Sequence, residues 1–269
     1  MDSDLQITWS NIAANWDKWK APLRPSAEDV SIIQQKIASW KTDNSLAKIL
    51  LLGVTPELAN MEYSFPTELT AMDINSEMIK HVWPGDNENR KALLGDWMTS
   101  ELPASQDIVL ADGSFIFFNA FGMKELTKRI SQSLKQNGLF IARHFAKNVT
   151  NDSLSMITKE LIEGKITNFH EFKFRVAMAL QPNFHEGVTQ KRIFDEAQKI
   201  IKSTRTNLFS EEDLSTLYVY ERRETKHYFP TVAQLTIMFK QEFENVDVVF
   251  PTYEFGQRCP IITCSGRKS

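Results

Sequence analysis

The sequence is poor in cysteine and carries almost no excess charge. Among its 269 residues only Cys259 and Cys264 are cysteines, and they stand five positions apart in a segment that we predict as a strand. Such side chains face opposite sides of a sheet and do not pair easily, so we expect two reduced thiols in a cytoplasmic protein. A net charge of -3 provides no basic field, so no nucleic-acid partner is expected.

Long apolar runs are also missing. No segment reaches the roughly 18 apolar residues that a membrane-spanning helix needs, so we expect no membrane contact. The chain begins with the acidic segment Met1–Asp4, and we predict no secretory signal. With 42% hydrophobic and 24% charged residues, the composition is that of a globular protein, long enough for one α/β domain with or without an insertion.

A strand, a turn, a helix and a second strand occupy residues 48 to 73. Lys48–Leu52 is a short apolar run that ends at Gly53, which is typical of a buried parallel strand. Glu68–Met72 is predicted as the second strand and is followed by Asp73. An acid about 20 positions after a glycine turn is placed to accept hydrogen bonds from ribose hydroxyls.

The turn after the first strand resembles a helix start. Thr55 is predicted as the N-cap, and Pro56 occupies the first helical position. Glu57 lies in the first turn, where the helix dipole favours a negative charge. We expect this helix to continue toward Ser64–Pro66.

Strands and helices continue to alternate up to about residue 143. This pattern predicts a Rossmann-like, doubly wound α/β fold with a parallel sheet. Ligands of such sheets lie beyond the carboxyl ends of the strands, where Asp73, Asp96 and Asp112 fall together with the Gly53 turn. The further predicted strands are Ala92–Leu94, Asp107–Ala111 and Leu139–Arg143, and the further predicted helices are Glu28–Trp40, Ile74–Val82 and Phe121–Lys135, the last followed by a turn at Asn137–Gly138.

The alternation stops after residue 147 for about 80 residues, which is too long for a loop. We predict a helical insertion over residues 148–228, a core formed by residues 45–147 and 229–269, and an N-terminal helical cap over residues 1–44. The predicted insertion helices are Ser153–Glu163, Phe172–Leu180, Thr189–Ile201 and Glu211–Tyr220. A last helix from Phe229 to about Glu242 and two strands, Val246–Phe250 and Pro260–Cys264, complete the chain.

Charge at the sheet edge distinguishes between nucleotide-like ligands. A pyrophosphate requires further glycines, but none follows Gly53 in the turn, and Glu57 would lie beside the anion. S-adenosylmethionine has no phosphate and carries a sulfonium and an ammonium group, so acids around the pocket favour it. The residues expected around adenosine are Asp73 at the ribose diol, Asp96 at the adenine amino group, and Trp97 or Met78 on the adenine face.

Residues 9 to about 145 resemble the class I S-adenosylmethionine-dependent methyltransferases, in particular their small-molecule branch. The resemblance rests on four motifs in the family's order. They are Trp9–Ala13 with Trp16–Asp17, similar to the leading aromatic-Ala-aromatic-Asp segment; Asp73–Ile79 after the second strand; Gly95–Met98 with Leu102–Pro103 and Asp107–Val109; and Leu134–Leu139 before strand five.

The resemblance implies S-adenosyl-L-methionine as cofactor and a seven-stranded sheet whose last strand is antiparallel. It also implies that the insertion covers the substrate site. No metal site is predicted. Besides the adenosine contacts, the candidate cofactor-binding residues are Trp16, Arg24, Gly53, Thr55, Glu57, Ile74 and Asp112.

The first glycine motif departs from the family. Leu51 stands where the family has an acid, Gly53 keeps the first glycine, and Thr55 and Glu57 replace the second and third. Our hypothesis is that Glu57 supplies the missing negative charge. The alternative is that it only stabilises the helix N-terminus.

Arg143 and His144 follow strand five at the reacting edge and are the candidate catalytic residues. Methyl transfer needs little beyond alignment and deprotonation of the acceptor, because the sulfonium is already a good leaving group. His144 would act as a general base near neutral pH. The alternative is a structural histidine.

These features favour a methyltransferase that acts on an oxygen or nitrogen atom of a small molecule. A non-catalytic S-adenosylmethionine-binding or scaffold protein is the alternative that Leu51 and Glu57 leave open. A nicotinamide-dependent oxidoreductase is disfavoured by the missing glycines. The insertion is expected to be a mobile cover or, alternatively, a homodimer surface that uses the apolar spacing of Phe172, Phe174, Val176 and Leu180.

Overall fold

The structure, a computed structural model, describes residues 10–41, 43–150, 152–204 and 208–268. Trp9, the first residue of the N-terminal motif, and the acidic start Met1–Asp4 lie outside the described residues. None of the described helices is long and apolar enough to cross a bilayer.

A seven-stranded sheet forms the centre of the described chain. The strands in chain order are β1 (Ala47–Leu52), β2 (Thr67–Asp73), β3 (Arg90–Leu94), β4 (Gln106–Asp112), β5 (Leu134–Arg143), β6 (Val188–Thr189), β7 (Lys226–His227), β8 (Phe243–Val249) and β9 (Ile261–Arg267). The sheet order is β3-β2-β1-β4-β5-β9-β8, while β6 and β7 pair separately. Neighbours from β3 to β5 are parallel, and β9 is antiparallel to β5 and β8. The predicted doubly wound sheet with an antiparallel last strand is confirmed.

Helices cover both faces of this sheet, and the described part of the segment that follows β5 contains four more helices. They are α1 (Ala27–Trp40), α2 (Pro56–Ala59), α3 (Ser76–His81), α4 (Ala120–Ser133), α5 (Leu154–Ile162), α6 (Phe169–Leu180), α7 (Gln190–Thr204), α8 (Glu211–Leu217) and α9 (Val232–Phe239). Short 3-10 turns occur at Trp16–Lys18, Ser114–Phe117, Tyr218–Tyr220 and Gly256–Arg258.

The sequence of β1 explains its central position. Ile49 and Leu51 pack into the apolar cluster on the face that carries α1, and Leu50 and Leu52 pack into the cluster on the α4 face. All four side chains are buried. A parallel strand that is covered on both faces needs such an uninterrupted apolar run.

Three predicted boundaries are wrong. The helix after Gly53 is a single turn, and Thr55 occupies its N-cap without a side-chain hydrogen bond. The predicted turn at Asn137–Gly138 lies within β5, because α4 passes directly into that strand at Leu134. The pairing of β5 with β4 is irregular there, with a register shift between Gln106 and Ile108. Cys259 precedes β9, so only Cys264 lies in a strand; both thiols are free and buried.

The segment between β5 and α9 contains α5 to α8 and the β6–β7 pair, which the sequence did not predict. Its apolar side chains form a cluster that continues into the core at Phe145. The residues considered for a homodimer surface are buried in this cluster, since the helix packs within its own chain: Phe172, Phe174, Val176 and Leu180. These four residues therefore do not form an exposed surface, and a homodimer stays a prediction with no surface assigned to it.

Position 53 favours glycine because its φ is +100°. The Gly53 N–H also donates to the Met72 carbonyl at 2.8 Å, which holds the turn against β2. We expect Gly53→Ala to lower the free energy of unfolding by about 1–2 kcal/mol through backbone strain alone, since a Cβ there meets no atom closer than 3.9 Å. Gly85→Ala is the matched control, because Gly85 has a φ of +97° and open space around it. Urea denaturation should show similar losses for both variants, and an unchanged Gly53→Ala protein would contradict the assigned turn.

Candidate active site

A cavity of about 290 Å³ lies beyond the carboxyl ends of β1, β2 and β4. Residues from the N-terminal segment, from the strand ends and from the segment between β5 and α9 surround it. Among its lining residues are ten of the eleven candidate cofactor-binding residues: Trp16, Arg24, Gly53, Thr55, Asp73, Ile74, Met78, Asp96, Trp97 and Asp112. Glu57, Arg143 and His144 are not among them.

Asp73 ends β2 and holds the turn that leads into α3. Its Oδ1 accepts a hydrogen bond from the Asn75 backbone N–H at 2.8 Å, while the Asn75 side chain accepts from the Met78 N–H at the start of the helix. Burial raises the pKa of Asp73 to about 6, against the effect of the backbone donors. This carboxylate therefore gains from any ligand that donates hydrogen bonds to it.

Asp96 and Trp97 form the wall beyond β3. The Asp96 Oδ1 accepts from the Met98 N–H at 2.8 Å, which closes a tight turn. The Trp97 indole N–H donates to the Met72 carbonyl at 2.7 Å, and its ring lies 6.5 Å from that of Phe118. The indole is thus held in place on the cavity wall.

Asp112 ends β4 and pairs with Arg143, which is fully buried. The Arg143 Nε donates to Asp112 Oδ1 at 2.6 Å, and its other nitrogens donate to the carbonyls of Pro22 at 2.6 Å and Leu23 at 3.3 Å. Asp29 of α1 lies 3.9 Å from the same guanidinium. Burial raises the pKa of Asp112, and Arg143 acts in the opposite direction. Arg143 thus connects the sheet edge to the N-terminal segment and does not reach the cavity.

Arg24 is the guanidinium on the cavity wall. Its Nε and Nη2 lie 2.7 Å and 2.6 Å from the same oxygen, Glu57 Oε1, and its guanidinium carbon lies 4.9 Å from the centre of the Trp16 ring. The other Glu57 oxygen is buried without a partner among the described residues. Glu57 therefore lies behind Arg24, and the hypothesis that it faces a cationic ligand is not supported by its position.

His144 lies on the other face of the sheet from Arg143. Its ring is 4.9 Å from that of Phe115 and 5.4 Å from that of Phe239, and neither ring nitrogen has a hydrogen-bond partner among the described residues. Burial lowers the pKa of His144 to about 3. This environment fits the structural alternative, and the expected contact of His144 with the reacting edge is wrong.

Aromatic side chains line the end of the cavity that faces the segment between β5 and α9. The sequence prediction missed them as site residues: Trp19, Phe117, Phe145, Phe174, Tyr220 and His227. It also missed Phe118, which lines the cavity beside Trp97. The run Phe115–Phe118 begins three residues after the strand-ending Asp112 and belongs to no predicted element, so it was a usable signal. Phe174 and Tyr220 come from helices and turns whose pairing with the sheet is not visible in local sequence.

No protein-family model and no curated protein sequence matches the chain. Solved structures do match it. A candidate zinc-dependent alcohol dehydrogenase from Rhodobacter sphaeroides has a TM-score of 0.61 at 14% identity, over 99% of this chain and 100% of that one. DhpI, in its SAM–HEP complex, has a TM-score of 0.57 at 11% identity, over 97% and 95%. A candidate O-methyltransferase from Nostoc punctiforme has a TM-score of 0.52 at 13% identity, over 96% of this chain and 59% of that one.

These low identities establish the fold and no activity. The fold is that of the class I S-adenosylmethionine-dependent methyltransferases, as the sequence motifs predicted. In the described part of the chain, no three His, Cys, Asp or Glu side chains form a group suited to a metal ion.

Arg143→Met should lower the free energy of unfolding by about 3–5 kcal/mol, because it leaves the Asp112 carboxylate buried without its partner. The matched control is Lys36→Met, which removes the exposed ion pair with Asp247 at 2.6 Å and should cost under about 1 kcal/mol. Guanidinium chloride denaturation at pH 7 measures both. Equal losses in the two variants would show that the buried pair does not hold the N-terminal segment.

Proposed function

We propose that this chain binds S-adenosylmethionine in the cavity and transfers its methyl group to an oxygen or nitrogen atom of a small molecule. The observation that carries the proposal is the set of three carboxylates, Asp73, Asp96 and Asp112, on the wall where the sheet ends. Arg24 is the guanidinium on the same wall, and Glu57 already pairs with it. Such a wall favours a ligand with hydroxyl and cationic groups.

The residues present fit this cofactor. Asp73 would accept hydrogen bonds from the ribose hydroxyls, and Asp96 would accept one from the adenine amino group. Trp97 and Met78 would pack against the adenine ring. Asp112, held by Arg143, would face the cationic part of the ligand.

When bound, S-adenosylmethionine supplies a methyl group on a sulfonium that is already a good leaving group. The protein then has to hold the acceptor in line and keep water away. The aromatic side chains of Phe117, Phe145, Phe174 and Tyr220 provide an apolar wall for both purposes. The cytoplasmic location stays a prediction.

Two other functions lead to different outcomes. A nicotinamide cofactor would place its pyrophosphate at the Gly53 turn, where α2 has only four residues and Glu57 lies in its first turn. A non-catalytic S-adenosylmethionine-binding protein would bind the cofactor without turnover. The burial of His144 favours the non-catalytic alternative, because the buried ring cannot serve as a base.

Titration calorimetry with S-adenosylhomocysteine and with NAD tests the cofactor directly. We expect S-adenosylhomocysteine to bind in the micromolar range or tighter and NAD to show no binding. Incubation with metabolite extracts and isotopically labelled S-adenosylmethionine then tests turnover. Binding of NAD alone would contradict the proposal, and cofactor binding without labelled product would support the non-catalytic alternative.

Asp73 should make the binding of S-adenosylhomocysteine dependent on pH. Because burial raises its pKa to about 6, the carboxylate is ionised at pH 8 and becomes protonated as the pH falls through 6, which removes an acceptor for the ribose hydroxyls. We expect the affinity to fall over that range in the wild type. Asp73→Asn should bind about ten- to a hundredfold more weakly at pH 8 and show no such fall.

The control for this experiment is Asp247→Asn, which changes an exposed acid that pairs with Lys36 away from the cavity. It should keep both the affinity and the pH profile of the wild type. An Asp73→Asn protein with wild-type affinity at pH 8 would place the ribose elsewhere.

A further inference from the structure

Lys173 is a buried cation in the middle of α6. Its side chain is fully buried, and its Nζ has no hydrogen-bond partner among the described residues. The amine lies 4.7 Å from the centre of the Trp19 ring and 4.8 Å from that of Tyr220. Trp19 and Tyr220 both line the cavity, so the ammonium lies one side-chain layer from the ligand space.

No carboxylate balances this charge in the described part of the chain, where Lys173 takes part in no ion pair. The titratable groups around it are His170, His227 and Tyr220. Burial lowers the pKa of His170 to about 2 and that of His227 to about 3, so both rings are neutral. A buried ammonium without an anion is costly, and burial accordingly lowers the pKa of Lys173 to about 7.

Two further polar groups without partners lie at the same end of the cavity. The Trp19 indole N–H has no partner among the described residues. The His227 Nε2 lies 2.9 Å from the side-chain amide of Gln190, and its Nδ1 has no partner among the described residues. Buried polar groups are normally satisfied, so three such groups around one end of a cavity point to a ligand.

We propose that Trp19 and His227 bind the carboxylate of the methyl acceptor while Lys173, one side-chain layer behind them, balances its charge, so that the substrate is an apolar carboxylic acid. This inference rests on the proposed methyltransferase function. The apolar body of the acid would lie against Phe117, Phe145 and the other aromatic side chains of the wall, while its carboxylate supplies the missing negative charge.

A purely structural role is the competing explanation. In that case the amine only attaches α6 to the N-terminal segment through its contacts with aromatic rings. The two roles differ in one respect: a structural lysine does not distinguish an acid from its neutral amide.

Calorimetry on the full chain saturated with S-adenosylhomocysteine distinguishes them. The probes are benzoate, phenylacetate, indole-3-acetate and hexanoate, each paired with its amide. We expect at least one acid to bind about tenfold or more tightly than its amide, and Lys173→Met to reduce that ratio to about threefold or less. Lys173→Met removes an unbalanced buried charge and should fold. Even if this variant failed to fold, equal binding of acid and amide by the wild type would overturn the proposal.

Lys41→Met is the matched control, because Lys41 also has a buried side chain with its Nζ 5.3 Å from an aromatic ring, that of Phe65, away from the cavity. It should keep the wild-type ratio. The proposal is overturned if no acid binds, if acid and amide bind equally, or if the ratio survives in Lys173→Met.

Titrating the same acids without S-adenosylhomocysteine separates this inference from the proposed function. If the cofactor product does not bind but the acids still depend on Lys173, the carboxylate site stands and the methyltransferase function fails. If the cofactor product binds and the ratio is absent, the cofactor site stands and the carboxylate site fails.

Discussion

The buried pair of Asp112 and Arg143 determines how the cavity is closed. Arg143 donates to the Asp112 carboxylate and to the carbonyls of Pro22 and Leu23, so one guanidinium joins the end of β4 to the N-terminal segment. That segment supplies Trp16, Trp19 and Arg24 to the cavity wall. An unpaired buried charge is costly, so the ion pair between the carboxylate and the guanidinium is stable against separation. The hydrogen bonds of the guanidinium then fix the position of the N-terminal segment.

Charge in the site is separated between its two ends. Carboxylates occupy the end formed by the sheet, and the amine of Lys173 lies behind the aromatic end. Because burial lowers the pKa of Lys173 to about 7, its amine is partly neutral near pH 7, and an anionic ligand would favour the ammonium form. A cationic cofactor and an anionic acceptor would satisfy the two ends and would meet in the middle of the cavity.

Local sequence predicted the sheet edge well for a physical reason. An apolar run followed by glycine or an acid marks both the strand and its carboxyl end, so Gly53, Asp73 and Asp112 could be placed on one edge without a structure. Consecutive residues at the end of β5 point to opposite faces, which explains why Arg143 and His144 separate. The sequence did not show which face the N-terminal segment covers, so neither role could be assigned.

Contacts between distant segments were not predictable in the same way. The pairing of Glu57 with Arg24 joins residues 33 positions apart, and nothing in the glycine motif indicates it. The same holds for Lys173, which lies in a predicted helix without any local signal for the rings around its amine. The candidate-site residues on the sheet edge could therefore be placed from the sequence, and those that depend on the packing of other segments against it could not.

A crystal structure of the chain with S-adenosylhomocysteine would show whether this cavity is the cofactor site. We expect density for the ligand beyond the ends of β1, β2 and β4, with the ribose hydroxyls about 2.7 Å from Asp73 and the adenine beside Asp96 and Trp97. Ligand density at any other place on the protein, or none in the cavity at saturating ligand, would contradict it.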